Sequence, residues 1–135
     1  MKTKIYSTLL AVSLTLLASI SISRQVTAQV QDDENAIVEM YYFHFNTRCE
    51  TCLAVESEAQ LDAQLLFGGD VKFTAVNLDE KNGEEIGKKL GVNSQTLLVV
   101  KGNTKINLTN EGFLYALTDP DKLREIIEEK IKPLL

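Results

Sequence analysis

Apolar and polar positions along this chain fall into blocks whose period switches between strand and helix spacing. The first such block after the opening stretch is Ile37-Val38-Glu39-Met40-Tyr41-Tyr42-Phe43-His44-Phe45. It is mostly apolar and rich in aromatics, as a strand covered on both faces is, and it stops at Asn46. Thr47-Arg48-Cys49-Glu50 then has the form of a capping box, which predicts Thr47 as the N-cap of a helix. Cys52, Val55, Ala59, Ala63 and Leu66 share one stripe of that helix, while Glu56, Glu58, Gln60 and Gln64 avoid it. Gly68-Gly69 ends it. Residues 71–78 form a second strand, with Val71, Phe73 and Ala75 on one face and Val76 and Leu78 on the other. A turn over Asp79 to Gly83 leads to a short helix from Glu84 to Leu90, closed by Gly91. Strands over Thr96–Val100 and Lys105–Leu108 flank Gly102-Asn103, a hairpin signal that makes them antiparallel neighbours. Phe113, Leu114, Tyr115 and Leu117 predict a buried turn or short helix within residues 110–118. A last helix starts with Asp119 as cap and Pro120 at its first position. Leu123, Ile126, Ile127, Ile131 and Leu134 make its apolar face, and Asp121, Arg124, Glu125, Glu128, Glu129 and Lys132 a solvated one.

The resulting order is β-α-β-α-β-β-α. That is an α/β fold, a central mixed sheet with helices on both faces, in one domain over residues 37–135. An acidic tail, residues 29–36, precedes it. The start of the chain has a different pattern. Met1-Lys2-Thr3-Lys4 is basic, Ile5 to Ile22 is uncharged and apolar, and Val26-Thr27-Ala28 offers small residues for cleavage. Residues 1–28 therefore read as a signal peptide cut after Ala28, which predicts export, to the periplasm. The alternative is an uncleaved membrane anchor, since the run approaches the ~20 residues that span a bilayer. Ser7, Thr8, Ser13, Thr15, Ser19, Ser21 and Ser23 dilute it.

Charge narrows the function classes. Of the 14 basic residues, Lys2, Lys4 and Arg24 lie in the leader, whereas all 19 acidic residues follow it. The mature chain is thus more acidic than the whole, whose net charge is −5. Nucleic acid as a partner needs a basic surface, and so does docking on an anionic membrane. Neither is expected. No Gly-rich phosphate loop is present, so no organic cofactor is expected either.

Both cysteines lie in the domain, as Cys49-Glu50-Thr51-Cys52. A disulfide across so short a loop removes little entropy from the unfolded chain, so the spacing points to redox chemistry more than to a staple. At a helix start, unpaired N–H groups and the macrodipole favour the thiolate of Cys49. Arg48 adds positive charge beside it, and Glu50 opposes that charge. Cys52, on the core-facing stripe, is placed to resolve a mixed disulfide formed at Cys49. His44 offers either a proton-transfer role or an ordinary strand histidine satisfied by hydrogen bonds.

A strand, then Cys-x-x-Cys opening a helix, then β-α-β-β-α, resembles the thioredoxin-like superfamily over most of the domain. Val76-Asn77-Leu78-Asp79, Gly91-Val92, Thr96-Leu97-Leu98 and Gly102-Asn103 are similar to thioredoxin segments in order and spacing. Tyr41-Tyr42-Phe43-His44, Thr47 to Cys52, and Asp119-Pro120 after Phe113-Leu114-Tyr115-Ala116-Leu117 resemble a narrower group, the small bacterial nitrophenyl-compound nitroreductase subunit (ArsF-like) family. The wider resemblance implies a thioredoxin-like fold and thiol–disulfide exchange or electron transfer at Cys49 and Cys52. The chain departs from thioredoxins at three places. Gln95 stands before Thr96 where they have a cis-proline that shapes peptide docking. Phe43 stands where they have a buried aspartate, and Arg48 replaces the aromatic before the first cysteine. A non-proline cis bond costs about 3 kcal/mol, so Ser94–Gln95 is expected to be trans or rearranged. Loss of that proline argues for a dedicated redox protein partner rather than broad disulfide reduction.

Two other readings stay open. The domain could be a non-enzymatic subunit with a static disulfide. Alternatively, the pair could hold a metal or cluster shared between two chains, since two Cys and one His fall short of the four ligands zinc usually takes.

Overall fold

The computed structural model describes residues 36–135, all within the compact unit Asp32–Leu135. The leader, residues 1–28, and residues 29–35 of the acidic tail lie outside the described residues.

The elements in order are β1 (Val38–His44), α1 (Glu50–Phe67), β2 (Val71–Asn77), α2 (Lys81–Leu90), β3 (Thr96–Lys101), β4 (Thr104–Asn107), α3 (Thr109–Tyr115) and α4 (Pro120–Ile131), with a closing 3₁₀ turn over Lys132–Leu134. The sheet order is β2-β1-β3-β4. β1 runs parallel to β2 with Val38 opposite Val71, and antiparallel to β3 with Tyr42 opposite Leu97. β3 and β4 form the antiparallel hairpin, Val99 opposite Ile106. This is the mixed sheet the sequence pattern predicts.

Two apolar layers explain the run of aromatic and branched residues in β1. Val38, Met40 and Tyr42 face a core built with Val55, Ala59 and Ala63 of α1 and Leu123, Ile127 and Ile131 of α4. Phe43 faces the opposite way, with Val76, Leu98 and Val100, against Ile86 and Leu90 of α2. Helices therefore cover both faces, and β1 and β3 in the middle are buried on both. Each fully buried Leu or Ile of α4 contributes about 2 kcal/mol relative to exposure. Asp119 caps α4 by accepting from the Lys122 N–H at 3.1 Å.

Two local expectations are corrected. The N-cap of α1 is Cys49, not Thr47, which lies in an exposed bend. α2 begins at Lys81, so Gly83 is helical instead of part of a turn. Gly83 is there because α2 leaves β2 at very close range: a Cβ would meet the Asn77 carbonyl oxygen at 1.8 Å. Elsewhere the stops hold. Gly68 closes α1 with φ of 56°, in the left-handed half of φ space that favours glycine.

One polar residue breaks the apolar stripe of α1. Asp62 is fully buried and accepts from Arg124 Nε of α4 at 2.7 Å. Arg124, expected on the solvated face, is about two-thirds buried by this pair. Burial of the Asp62 carboxylate outweighs the pull of Arg124 and holds its pKa above the ordinary aspartate value. Among the described residues no helix is long and apolar enough to cross a membrane.

Candidate functional site at the start of the first helix

β1 delivers the chain to one edge of the core, and the segment Phe45–Arg48 links it to α1. This link is fastened to the end of β2. The Asn46 N–H donates to Asp79 Oδ2 at 2.6 Å, and Asn77 Nδ2 donates to Asn46 Oδ1 at 2.8 Å. The Leu78 N–H donates to the His44 carbonyl at 2.7 Å. The end of β1 is thus held on both backbone and side chains before the cysteines begin.

Cys49 and Cys52 are joined as a disulfide, with Cα atoms 4.9 Å apart. Cys49 is extended, at φ −91° and ψ 165°, and its Sγ accepts the Cys52 N–H at 3.0 Å. The sulfur therefore occupies the place a Thr47 hydroxyl takes in a capping box. It satisfies one of the N–H groups that a helix start leaves free. Glu50 opens the helix, exposed, in its first turn. The two sulfurs differ in access: Cys49 is exposed, whereas Cys52 is 2% exposed and points into the core.

The candidate modulating residues are arranged unequally. Gln95 meets the pair directly, its Oε1 3.4 Å from Cys52 Sγ. The Ser94–Gln95 bond is trans, as are all peptide bonds of the described residues. Arg48 is drawn away into an ion pair with Glu56 of α1. Its Cζ also lies 6.0 Å from the centre of the Tyr42 ring. His44 ends β1, where Nδ1 is 3.0 Å from the Phe45 carbonyl oxygen and so donates to it. Its ring stacks on Tyr42 at 6.2 Å. Phe43, in the aspartate position of the resemblance, is fully buried on the sheet face opposite α1.

Tyr42 and Glu56 belong to this site and were not legible as such. Tyr42 reads as a core aromatic, and it is one: no part of it is exposed. Yet its hydroxyl and Arg48 Nε are buried polar atoms without a hydrogen-bond partner among the described residues. Burial raises the Tyr42 pKa, with Arg48 pulling it down and Glu56 pushing it up. The only sequence signal was a glutamate two helical turns beyond an arginine. Among the described residues, no group of three or more His, Cys, Asp or Glu is placed to hold a metal ion.

A parallel β-α-β unit, an antiparallel hairpin beside it, helices on both faces and a Cys-x-x-Cys disulfide at the first helix start together define a thioredoxin-like fold. Solved structures bear this out. The chain is similar to thioredoxin O2 from Arabidopsis thaliana in its oxidised state: 22% identity, 70% of this chain and 75% of that one covered, TM-score 0.51. It is similar to thioredoxin-2, a component of the malaria parasite protein secretion machinery, at 21% identity over 70% of this chain and 84% of that one, TM-score 0.50. Trxlp from Edwardsiella tarda aligns at 16% identity over 69% and 84%, TM-score 0.50. At these identities the likeness is one of fold. No protein-family model matches the chain and no curated protein is similar to it. The narrower resemblance to nitrophenyl-compound nitroreductase subunits therefore has no match beside it.

Proposed function

We propose that this chain is a thiol–disulfide oxidoreductase or electron carrier of the periplasm, delivered by the leader at residues 1–28 and serving a dedicated redox protein partner. The observation that carries the proposal is the unequal access of the two sulfurs, Cys49 exposed and Cys52 2% exposed. An exchange reaction needs one sulfur that a partner can reach and a second held in reserve.

In the reduced protein, the Cys49 thiolate attacks a partner disulfide. A bond forms from Cys49 Sγ to one partner sulfur, the partner's S–S bond breaks, and the leaving thiolate takes a proton from water. Cys52 then gives up its proton and attacks Cys49 Sγ. The Cys49–Cys52 bond forms, and the second partner sulfur leaves and is protonated. Two electrons pass from the pair to the partner, and the reverse sequence oxidises a partner dithiol. The N–H of Cys52, aimed at Cys49 Sγ, stabilises negative charge on the attacking sulfur. Trans Gln95 replaces a proline beside the pair, which favours a narrow range of partners. The nitroreductase-type system named by the narrower resemblance is where that partner is to be sought.

The test is exchange with glutathione and insulin. Wild type is expected to catalyse it, and Cys49→Ser to lose all catalysis. A wild type as inert as Cys49→Ser would leave a static disulfide in a structural subunit.

A further inference from the structure

We propose that the side-chain carbonyl of Gln95 is a positioning group for the reduced state: it accepts a hydrogen bond from the Cys52 thiol and so shifts the pair toward the dithiol. The inference rests on the redox reading above and deepens it.

In the disulfide, Cys52 Sγ carries no hydrogen. Its approach to Gln95 Oε1 at 3.4 Å is then a contact of two electron-rich atoms, with nothing to donate. Reduction changes only one side of that contact. The S–S bond takes two electrons from the reductant and breaks, and the proton that arrives on Cys52 Sγ has an acceptor already in range. A sulfur hydrogen bond tolerates heavy-atom distances longer than 3.4 Å, so the sulfurs part to non-bonded distance with Cys52 Sγ still in reach of Gln95 Oε1. Cys52 is 2% exposed, and water competes little for the thiol. Its other neighbour in the site does not help. The Cys52 N–H is spent on Cys49 Sγ, which favours charge on Cys49 and leaves Cys52 as the sulfur that keeps its proton. Gln95 thus gains a partner only in the dithiol. A group that stabilises the reduced form alone makes the pair a stronger oxidant.

Gln95 also fits this role better than the alternatives the position could carry. Proline has no side-chain acceptor. A carboxylate would repel the Cys49 thiolate needed for attack. The neutral amide holds the proton on Cys52 without adding charge to the site.

The experiment measures the dithiol–disulfide equilibrium in dithiothreitol redox buffers, which reads the pair whether or not it exchanges with proteins. Gln95→Leu, similar in volume but without an acceptor, is expected to shift the equilibrium roughly three- to tenfold toward the disulfide. That is ~15–30 mV toward a more reducing potential. In a Cys49→Ser background, the S–H stretching band of Cys52 is expected at lower frequency when Gln95 is kept than when Gln95→Leu is added. An unchanged equilibrium in folded Gln95→Leu, or an S–H band that does not move, overturns the proposal. Failure of wild type to exchange with glutathione and insulin is a separate result: it removes the redox reading and leaves the equilibrium to be judged on its own.

Discussion

Helix α1 carries two arginine–carboxylate pairs, and they do different things. Near its start, Glu56 holds Arg48, with the two side chains 24% and 21% exposed. Further along, Asp62 holds Arg124, but here the carboxylate is 0% exposed and the arginine 32%. In the first pair both charges keep similar access to solvent, so the desolvation cost is shared between them, with Arg48 Nε the one buried atom left without a partner among the described residues. In the second the whole cost falls on the acid. Its second oxygen, Oδ2, is buried without a partner among the described residues, and its pKa is raised by burial. Asp62–Arg124 therefore fastens α4 to α1 at a cost, as buried ion pairs commonly do. Arg48–Glu56 instead ties the residue before Cys49 to α1, with the guanidinium 6.0 Å from the Tyr42 ring centre. The lesson is that sharing a helix and a residue type does not give two pairs one role. The distribution of burial between the partners decides it.

The largest effect is expected from breaking the second pair on its exposed side. Arg124→Met leaves the Asp62 carboxylate buried and uncompensated, and should destabilise the fold by about 3 kcal/mol at neutral pH. The loss should shrink in acid. An aspartate whose folded pKa is raised binds more protons folded than unfolded, across the window from its ordinary pKa up to the raised one. Stability therefore rises as pH falls through that window, and more so once Arg124 no longer opposes protonation. Urea unfolding at pH 7 and pH 5 checks this, and a pH-independent loss would make Arg124 a packing residue only.

A smaller effect is expected at the first pair. Glu56→Gln should cost the fold about 1 kcal/mol, since the amide keeps a hydrogen-bond acceptor for Arg48 in place of the carboxylate. Its use is as a probe of the site. Releasing Arg48 from its partner should favour the Cys49 thiolate, so thiolate absorbance in the reduced variant should appear at lower pH than in wild type. An unshifted titration would make Arg48–Glu56 a fastener like the other pair.

The same contrast marks what the sequence could tell. Strand β1, the stripe of α1, the hairpin at Gly102 and the capped start of α4 follow from period, turn chemistry and caps, and each is present. So is the unequal access of the cysteines, since Cys52 lies on the stripe and Cys49 does not. What was hidden depended on distance in space. A sulfur as N-cap is outside the usual capping residues, and Thr47 with Glu50 offered a better-known pattern. Gly83 looked like a turn residue because only the fold shows how closely α2 passes Asn77. Asp62 broke an apolar stripe, and Arg124 sat in a charged run, but nothing local paired them. At Gln95 the sequence signal is a missing proline, and the amide that takes its place beside Cys52 is visible only in three dimensions.

The central claim is the division of labour between the two sulfurs, and one measurement tests it directly. Reduced Cys52→Ala and Cys49→Ala are each mixed with oxidised glutathione at neutral pH, and the mixed disulfide is followed by intact mass. Access and thiolate character both favour Cys49, so Cys52→Ala should gain one glutathione at least roughly tenfold faster than Cys49→Ala. Equal rates, or a faster Cys52, would contradict the account.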